Sequence, residues 1–163
     1  MSVDRERRRD AGAFYTPAPL AAALARAVLG RMADRTGEQL RLVDPACGEG
    51  ALLLAAGAWV AAQDGRRDRR ALVLGSIFGV DVDPEAVART RRALAAFAGV
   101  AEAELADNIR CGDAVLGADA PPALGRPLVW AEAFPRVFAA GGFSAVLANP
   151  PFIDAERMAR QSP

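Results

Sequence analysis

Four short apolar runs constrain this chain more than anything else in it, because each stops at an acid, a Gly-Asp pair or an asparagine. They are Leu40-Arg41-Leu42-Val43 before Asp44 and Ile77-Phe78-Gly79-Val80 before Asp81. Asn108-Ile109-Arg110-Cys111 before Gly112-Asp113 and Ser144 to Ala148 before Asn149 complete the set. Helical signals lie between them. Thr16-Pro17 reads as a helix start, with Thr as N-cap and Pro at the first helical position, and the Ala/Leu pattern then runs to about Met32. A helix is predicted from Ala51 to Gln63, another from Asp83-Pro84-Glu85 to its closure at Gly99, and a short one from Trp130 to Ala139 before the Gly141-Gly142 turn. Asp64 to Arg70 reads as a charged connection and 117–127 as a Pro/Gly-rich loop. Strands alternating with helices predict an α/β fold on a doubly wound parallel sheet of about four strands. Ligands of such sheets bind outside the carboxyl ends of the strands.

At 163 residues the chain holds at most one domain. Residues 1–12 read as a mobile charged arm and 13–163 as the folded unit. No apolar run approaches the roughly 20 residues of a membrane span, and the Arg/Asp/Glu-rich start is no signal peptide, so a cytoplasmic location is expected. There is no histidine, and Cys47 and Cys111 form no Cys-x-x-Cys pair. No metal is therefore expected, and a Ser-His-Asp triad is excluded. Both cysteines read as reduced, small packing residues, and Arg66 to Arg70 as a solvated face. Twenty basic residues, all Arg, balance twenty acids. That balance argues against an autonomous DNA binder, which usually carries a basic surface. It leaves room for a catalytic portion whose DNA contacts come from elsewhere.

The loop Asp44-Pro45-Ala46-Cys47-Gly48-Glu49-Gly50 lies between a strand and a helix, where glycine lets backbone approach a ligand. Its spacing is not the dinucleotide pattern G-x-G-x-x-G. A pyrophosphate would not favour Asp44 and Glu49 beside those glycines, whereas an ammonium or sulfonium group would. Asp81, at the tip of the second strand, is suited to accept from both hydroxyls of a ribose. Asp113 could accept from an adenine amino group. A glycine loop alone is most often just a turn, but these signals in order describe S-adenosylmethionine. Asp83-Pro84 is assigned helix opening alone.

Asn149-Pro150-Pro151-Phe152 supplies a side-chain amide, a rigid carbonyl and a flat apolar face at one point. An exocyclic amine on a planar ring is a poor nucleophile, because its lone pair is delocalised. Acceptors at Asn149 Oδ1 and the Pro150 carbonyl would pull its nitrogen towards tetrahedral geometry, while Phe152 stacks on the ring.

Phe14-Tyr15-Thr16-Pro17, the Asp44 to Gly50 loop, Gly79 to Pro84, Gly112-Asp113 and Asn149 to Phe152 together resemble the motif series of adenine-N6 DNA methyltransferases. Trp130, Phe134-Pro135 and Gly141-Gly142-Phe143 resemble the approach to the Asn-Pro-Pro motif in restriction-modification members with large target-recognition regions. The likeness covers roughly residues 12–153. It implies that Tyr15 and Thr16 touch the methionine part of the cofactor, beside Asp44, Ala46 and the Gly48 to Gly50 backbone. It implies a ribose contact at Asp81, a cofactor contact at Val82, the adenine amino group at Asp113, and the target base at Asn149, Pro150 and Phe152. Ser144 stands where an Asp is common, Ala148 where a Gly is common, and Phe152 replaces a frequent Tyr.

The resemblance also implies three further strands and a recognition region beyond the motif, and hence an expected open sheet edge along residues 144–148. On that reading the chain is the amino-terminal catalytic portion, its partners being DNA and a carboxyl-terminal half or specificity subunit. Methylation of RNA or protein glutamine remains an alternative, as does a non-catalytic cofactor-binding fragment.

Overall fold

The computed structural model describes residues 16–35, 40–63, 68–116, 119–121 and 125–149. The expected arm at 1–12, and Tyr15, Pro150 and Phe152 among the site residues, lie outside the described residues. Four strands, β1 (Leu42–Asp44), β2 (Ile77–Asp81), β3 (Ile109–Cys111) and β4 (Ala145–Val146), form one sheet in the order β3-β2-β1-β4. Every pairing is parallel, with Leu42 opposite both Ile77 and Ala145, and Gly79 opposite Ile109. β2 is apolar at consecutive positions because an interior parallel strand is covered on both faces. Ile77, Phe78, Gly79 and Val80 are all buried.

Among the described residues the helices are α1 (Ala18–Leu29), α2 (Ala51–Gln63), α3 (Arg69–Ser76), α4 (Pro84–Ala98), α5 (Trp130–Ala133) and α6 (Pro135–Ala139). Strand side chains alternate between two cores. Leu42, Ile77 and Ile109 face a core built with α1 to α4, where Leu29, Leu53, Val73 and Leu94 are fully enclosed. Each such side chain contributes roughly 1.5–3 kcal/mol by leaving water. Val43, Phe78 and Val80 face the other core, closed by Leu128, Phe134 and Val137 with Trp130 and Phe143 packed against it. The aromatic rings meet edge-on or stacked, Phe134 and Phe143 at 5.4 Å and Trp130 and Phe134 at 5.8 Å. The motif-like stretch 130–143 is thus a cover for the second face of the sheet.

Local chemistry explains the element ends. Asp83 accepts from the Glu85 amide at 2.9 Å and Pro84 sits at the first helical position, while Gly99 closes α4 at φ +68°. Such a cap contributes about 1 kcal/mol. The first helix departs from expectation. It begins at Ala18, Pro17 is its N-cap, and no side chain caps it. It ends at Leu29, followed by a 3₁₀ segment, Gly30–Arg35, kinked at Met32.

α3 replaces part of the expected charged connection. Asp68 caps it by accepting from the Arg70 amide at 2.9 Å. Arg69 and Arg70 are exposed, as a solvated face requires; Arg69 also lies over the Phe97 ring and Arg70 pairs with Glu104. The expected single helix at 130–139 is two short ones. Pro135 cannot donate its amide, and Phe134 before it is extended away from the helical region at ψ +58°. β4 is shorter than expected, and among the described residues it pairs on its β1 side alone. Ser144 Oγ accepts from the Arg41 amide at 2.8 Å, which ties the start of β4 to the start of β1.

Gly79 shows how tightly the glycine loop is pressed onto the sheet. A Cβ there would lie 2.8 Å from Leu53 Cδ1 and 3.2 Å from Cys47 Cβ and Sγ. Cys47 is pinned by its own amide donating to the Val80 carbonyl at 2.9 Å, so it cannot retreat cheaply. Gly79→Ala should therefore destabilise by about 1–3 kcal/mol through overpacking, read as a lower urea midpoint. An unchanged midpoint would show that the loop yields freely.

Candidate active site

Parallel pairing brings the carboxyl ends of all four strands to one edge. Along it, in sheet order, stand Asp113 just past β3, Asp81 ending β2, Asp44 ending β1, and Asn149 three residues beyond β4. All four were expected at strand ends.

The loop after β1 is held at every turn. The Ala46 amide donates to Asp44 Oδ1 at 3.0 Å and the Gly48 amide to Asp81 Oδ2 at 2.7 Å. The Gly48 carbonyl accepts from Thr90 Oγ1 at 2.8 Å. Gly48 and Gly50 adopt φ of +53° and +81°, conformations that favour glycine. A Cβ at Gly50 would lie 3.0 Å from Thr90 Cγ2, whereas nothing approaches within 4 Å of one at Gly48. Gly50 thus seats the loop on α4, and Gly48 leaves open space beside the backbone.

Asp81 is a prearranged acceptor. Its Oδ1 takes the Asp83 amide at 3.0 Å while Oδ2 takes that of Gly48. Each carboxylate oxygen has two lone pairs, so both can accept one bond more. Val82, next along, is 63 % exposed and presents an apolar surface at this edge.

Asp44 is 1 % exposed. Burial raises its pKa to about 7, the Ala46 amide opposing and the charge of Asp81 adding to the rise. A ligand cation here would restore the carboxylate. Burial also pushes the Cys47 thiol far up, with Asp44 and Asp81 repelling its anion, so Cys47 remains a packing residue. Cys111 does not fit that expectation, for it is exposed, its thiol 3.7 Å from the Val82 carbonyl. Both cysteines are free.

Asp113 Oδ1 accepts from the amides of Val115 and Leu116 at 2.9 and 3.1 Å, which fixes its carboxyl orientation. The turn is anchored by the Asp113 amide donating to the Arg126 carbonyl at 2.7 Å. On the other side of the sheet, Asn149 Nδ2 donates to Thr16 Oγ1 at 3.1 Å, and Thr16 is 8 % exposed. Two groups thus form, Asp44, Ala46, Gly48 and Asp81 in one and Thr16 with Asn149 in the other. No hydrogen bond joins them among the described residues.

Two residues at this edge escaped the sequence reading. Thr90 lies on the buried stripe Ala86, Val87, Thr90, Leu94 of α4, and a hydroxyl in an apolar stripe was the available signal. Arg89 sits among Glu49, Asp83 and Glu85 at 3.3–3.4 Å, which moderates the acidity of the edge. A cavity of about 280 Å³ lined by Arg41, Phe78, Asp107, Arg110 and Phe134 lies at the opposite, amino ends of the strands. It has no part in this site. Among the described residues no group of His, Cys, Asp or Glu is arranged to hold a metal, and no helix is long and apolar enough to cross a membrane.

Two known families match the chain. The Eco57I restriction-modification methylase family matches residues 75–162, more than half of the chain. The chain belongs to that family. The methyltransferase domain described as RMKL-like matches residues 6–110, including β1, β2 and the glycine loop between them. No curated protein matches the chain. Family and fold together make this a methyltransferase of the restriction-modification type, with four parallel strands of a Rossmann-like sheet and flanking helices.

Proposed function

We propose that the chain transfers a methyl group from S-adenosylmethionine to the exocyclic N6 of an adenine flipped out of DNA. The observation that carries this reading is Asn149, a side-chain amide at the carboxyl end of β4 on the sheet edge that also bears Asp44 and Asp81. Restriction-modification membership supports DNA as the substrate.

The residues present fit the cofactor. Open space beside the left-handed Gly48, an enclosed carboxyl at Asp44 and a two-point acceptor at Asp81 suit the ammonium and ribose groups of S-adenosylmethionine. When bound, the cofactor supplies an electrophilic methyl on a sulfonium. Asp44, ionised, would hold the ammonium, Asp81 the ribose hydroxyls, and Asp113 the adenine amino group with Val82 alongside.

Asn149 Oδ1 would accept one hydrogen of the target amine. By the motif's assignment, the Pro150 carbonyl takes the other and Phe152 stacks on the base. Flipping costs a few kcal/mol. No strong base is required, since the methylated ammonium readily loses its proton. The chain's contribution is positioning and preorganised acceptors.

Incorporation of labelled methyl groups tests the reading, with DNA, RNA and glutamine-bearing protein offered separately to the full-length enzyme. Label recovered as N6-methyladenine in DNA is expected; label in RNA or glutamine instead would overturn it. A second expectation concerns Asp81→Ala. It removes the ribose acceptor and orphans the Gly48 and Asp83 amides, so S-adenosylhomocysteine should bind about 1–3 kcal/mol more weakly by calorimetry. Parental affinity would show that the ribose is held elsewhere.

A further inference from the structure

We propose that Thr16 is a positioning residue for Asn149, resting on the function proposed above. The resemblance assigns Thr16 to the cofactor, and the first helix predicted it as an N-cap. Its hydroxyl oxygen accepts from Asn149 Nδ2 at 3.1 Å, and the helix runs without a side-chain cap.

The need for such a partner follows from amide chemistry. The terminal torsion of an asparagine is broad and roughly two-fold, so an untethered amide swings freely. The proposed mechanism requires Oδ1, an acceptor, at the target amine; Nδ2 in its place would set donor against donor. The oxygen and nitrogen diverge from one carbon, so anchoring Nδ2 fixes the amide plane and aims Oδ1 away from Thr16.

Both members of the pair are mounted on rigid parts. Pro17 holds φ at −58°, and its carbonyl accepts from the Ala21 amide at 2.9 Å. Ala21, Ala25 and Leu29 lock α1 into the core. On the other side, the Leu147 amide donates to the Val43 carbonyl at 3.0 Å, which ties the approach to Asn149 to β1. Thr16 therefore acts on turnover through Asn149.

The test compares Thr16→Val, nearly the same shape without the hydroxyl, with Thr16→Ser, which keeps it. In the full-length enzyme, Thr16→Val should lower kcat about 10–100-fold, the scale of a reacting group displaced by about 1 Å. The kcat loss is read at saturating cofactor, so that any change in calorimetric affinity for S-adenosylhomocysteine is scored apart from it, and Thr16→Ser should recover most of the lost kcat. Thr16→Ala supports the same comparison if Val disrupts folding, as thermal unfolding would reveal. Parental kcat in folded Val and Ala variants overturns the proposal. So does weakened cofactor affinity with unchanged kcat at saturation, which would make Thr16 a cofactor contact. If the parental enzyme itself gives no methyladenine, the proposed function fails and this inference falls with it. Loss confined to the Thr16 variants separates the two.

Discussion

In the full-length enzyme Asn149→Ala is expected to lower methyl transfer about 10²–10³-fold, the usual cost of one preorganised hydrogen-bond partner at a reacting group. Cofactor affinity should barely change, because among the described residues the Asn149 amide bonds Thr16 and none of the Asp44–Asp81 group. Rates at saturating cofactor and calorimetry with S-adenosylhomocysteine measure the two effects separately. Turnover close to parental would remove Asn149 from the mechanism. Combining Asn149→Ala with Thr16→Val should cost little beyond Asn149→Ala alone, since the hydroxyl then has no amide to hold.

The second large effect is a pH dependence set by Asp44. Burial raises its pKa to about 7 from an ordinary 3.8. A group whose pKa is higher in the fold contributes stability fully below the unfolded value and loses it as pH rises through the folded one. At about 1.4 kcal/mol per unit, the fall from pH 5 to pH 8 is on the order of 3 kcal/mol. Urea unfolding of the parental protein should show this fall, and Asp44→Asn should flatten it. Parallel pH profiles for the two proteins would mean that Asp44 ionises as in water. Because a bound ammonium favours the carboxylate, affinity for S-adenosylhomocysteine should rise with pH up to about 7 and lose that rise in Asp44→Asn.

Much of the architecture was legible because its signals are local. α4 announces itself by Asp83-Pro84-Glu85 and Gly99, and the structure caps it at those residues. α2 spans Ala51–Gln63 as expected, and the parallel sheet follows from alternation of strands and helices. What was missed is of another kind. α3 was hidden because Arg66 to Arg70 read as a charge run, although Asp68 is an ordinary N-cap ahead of Leu72 and Val73. Thr16 satisfies the N-cap pattern, yet a partner 133 positions away takes its hydroxyl. Strand-end positions place Asp44, Asp81, Asp113 and Asn149 on one edge without further information. The partner of each carboxylate or amide depends on tertiary contacts that a linear pattern does not encode.

That 133-residue separation has a kinetic consequence. Closing so long a loop carries an entropic cost that grows with the logarithm of its length, and contacts between distant positions slow folding. α1 is made early, whereas β4 can join β1 only after nearly all of the described chain has emerged. The Thr16–Asn149 contact should therefore be among the last to form in refolding and among the first to open under mild denaturant. An enzyme built this way has no half-assembled state with its amide aimed. On the function proposed above, methyl transfer would therefore wait on the pairing of β4 with β1.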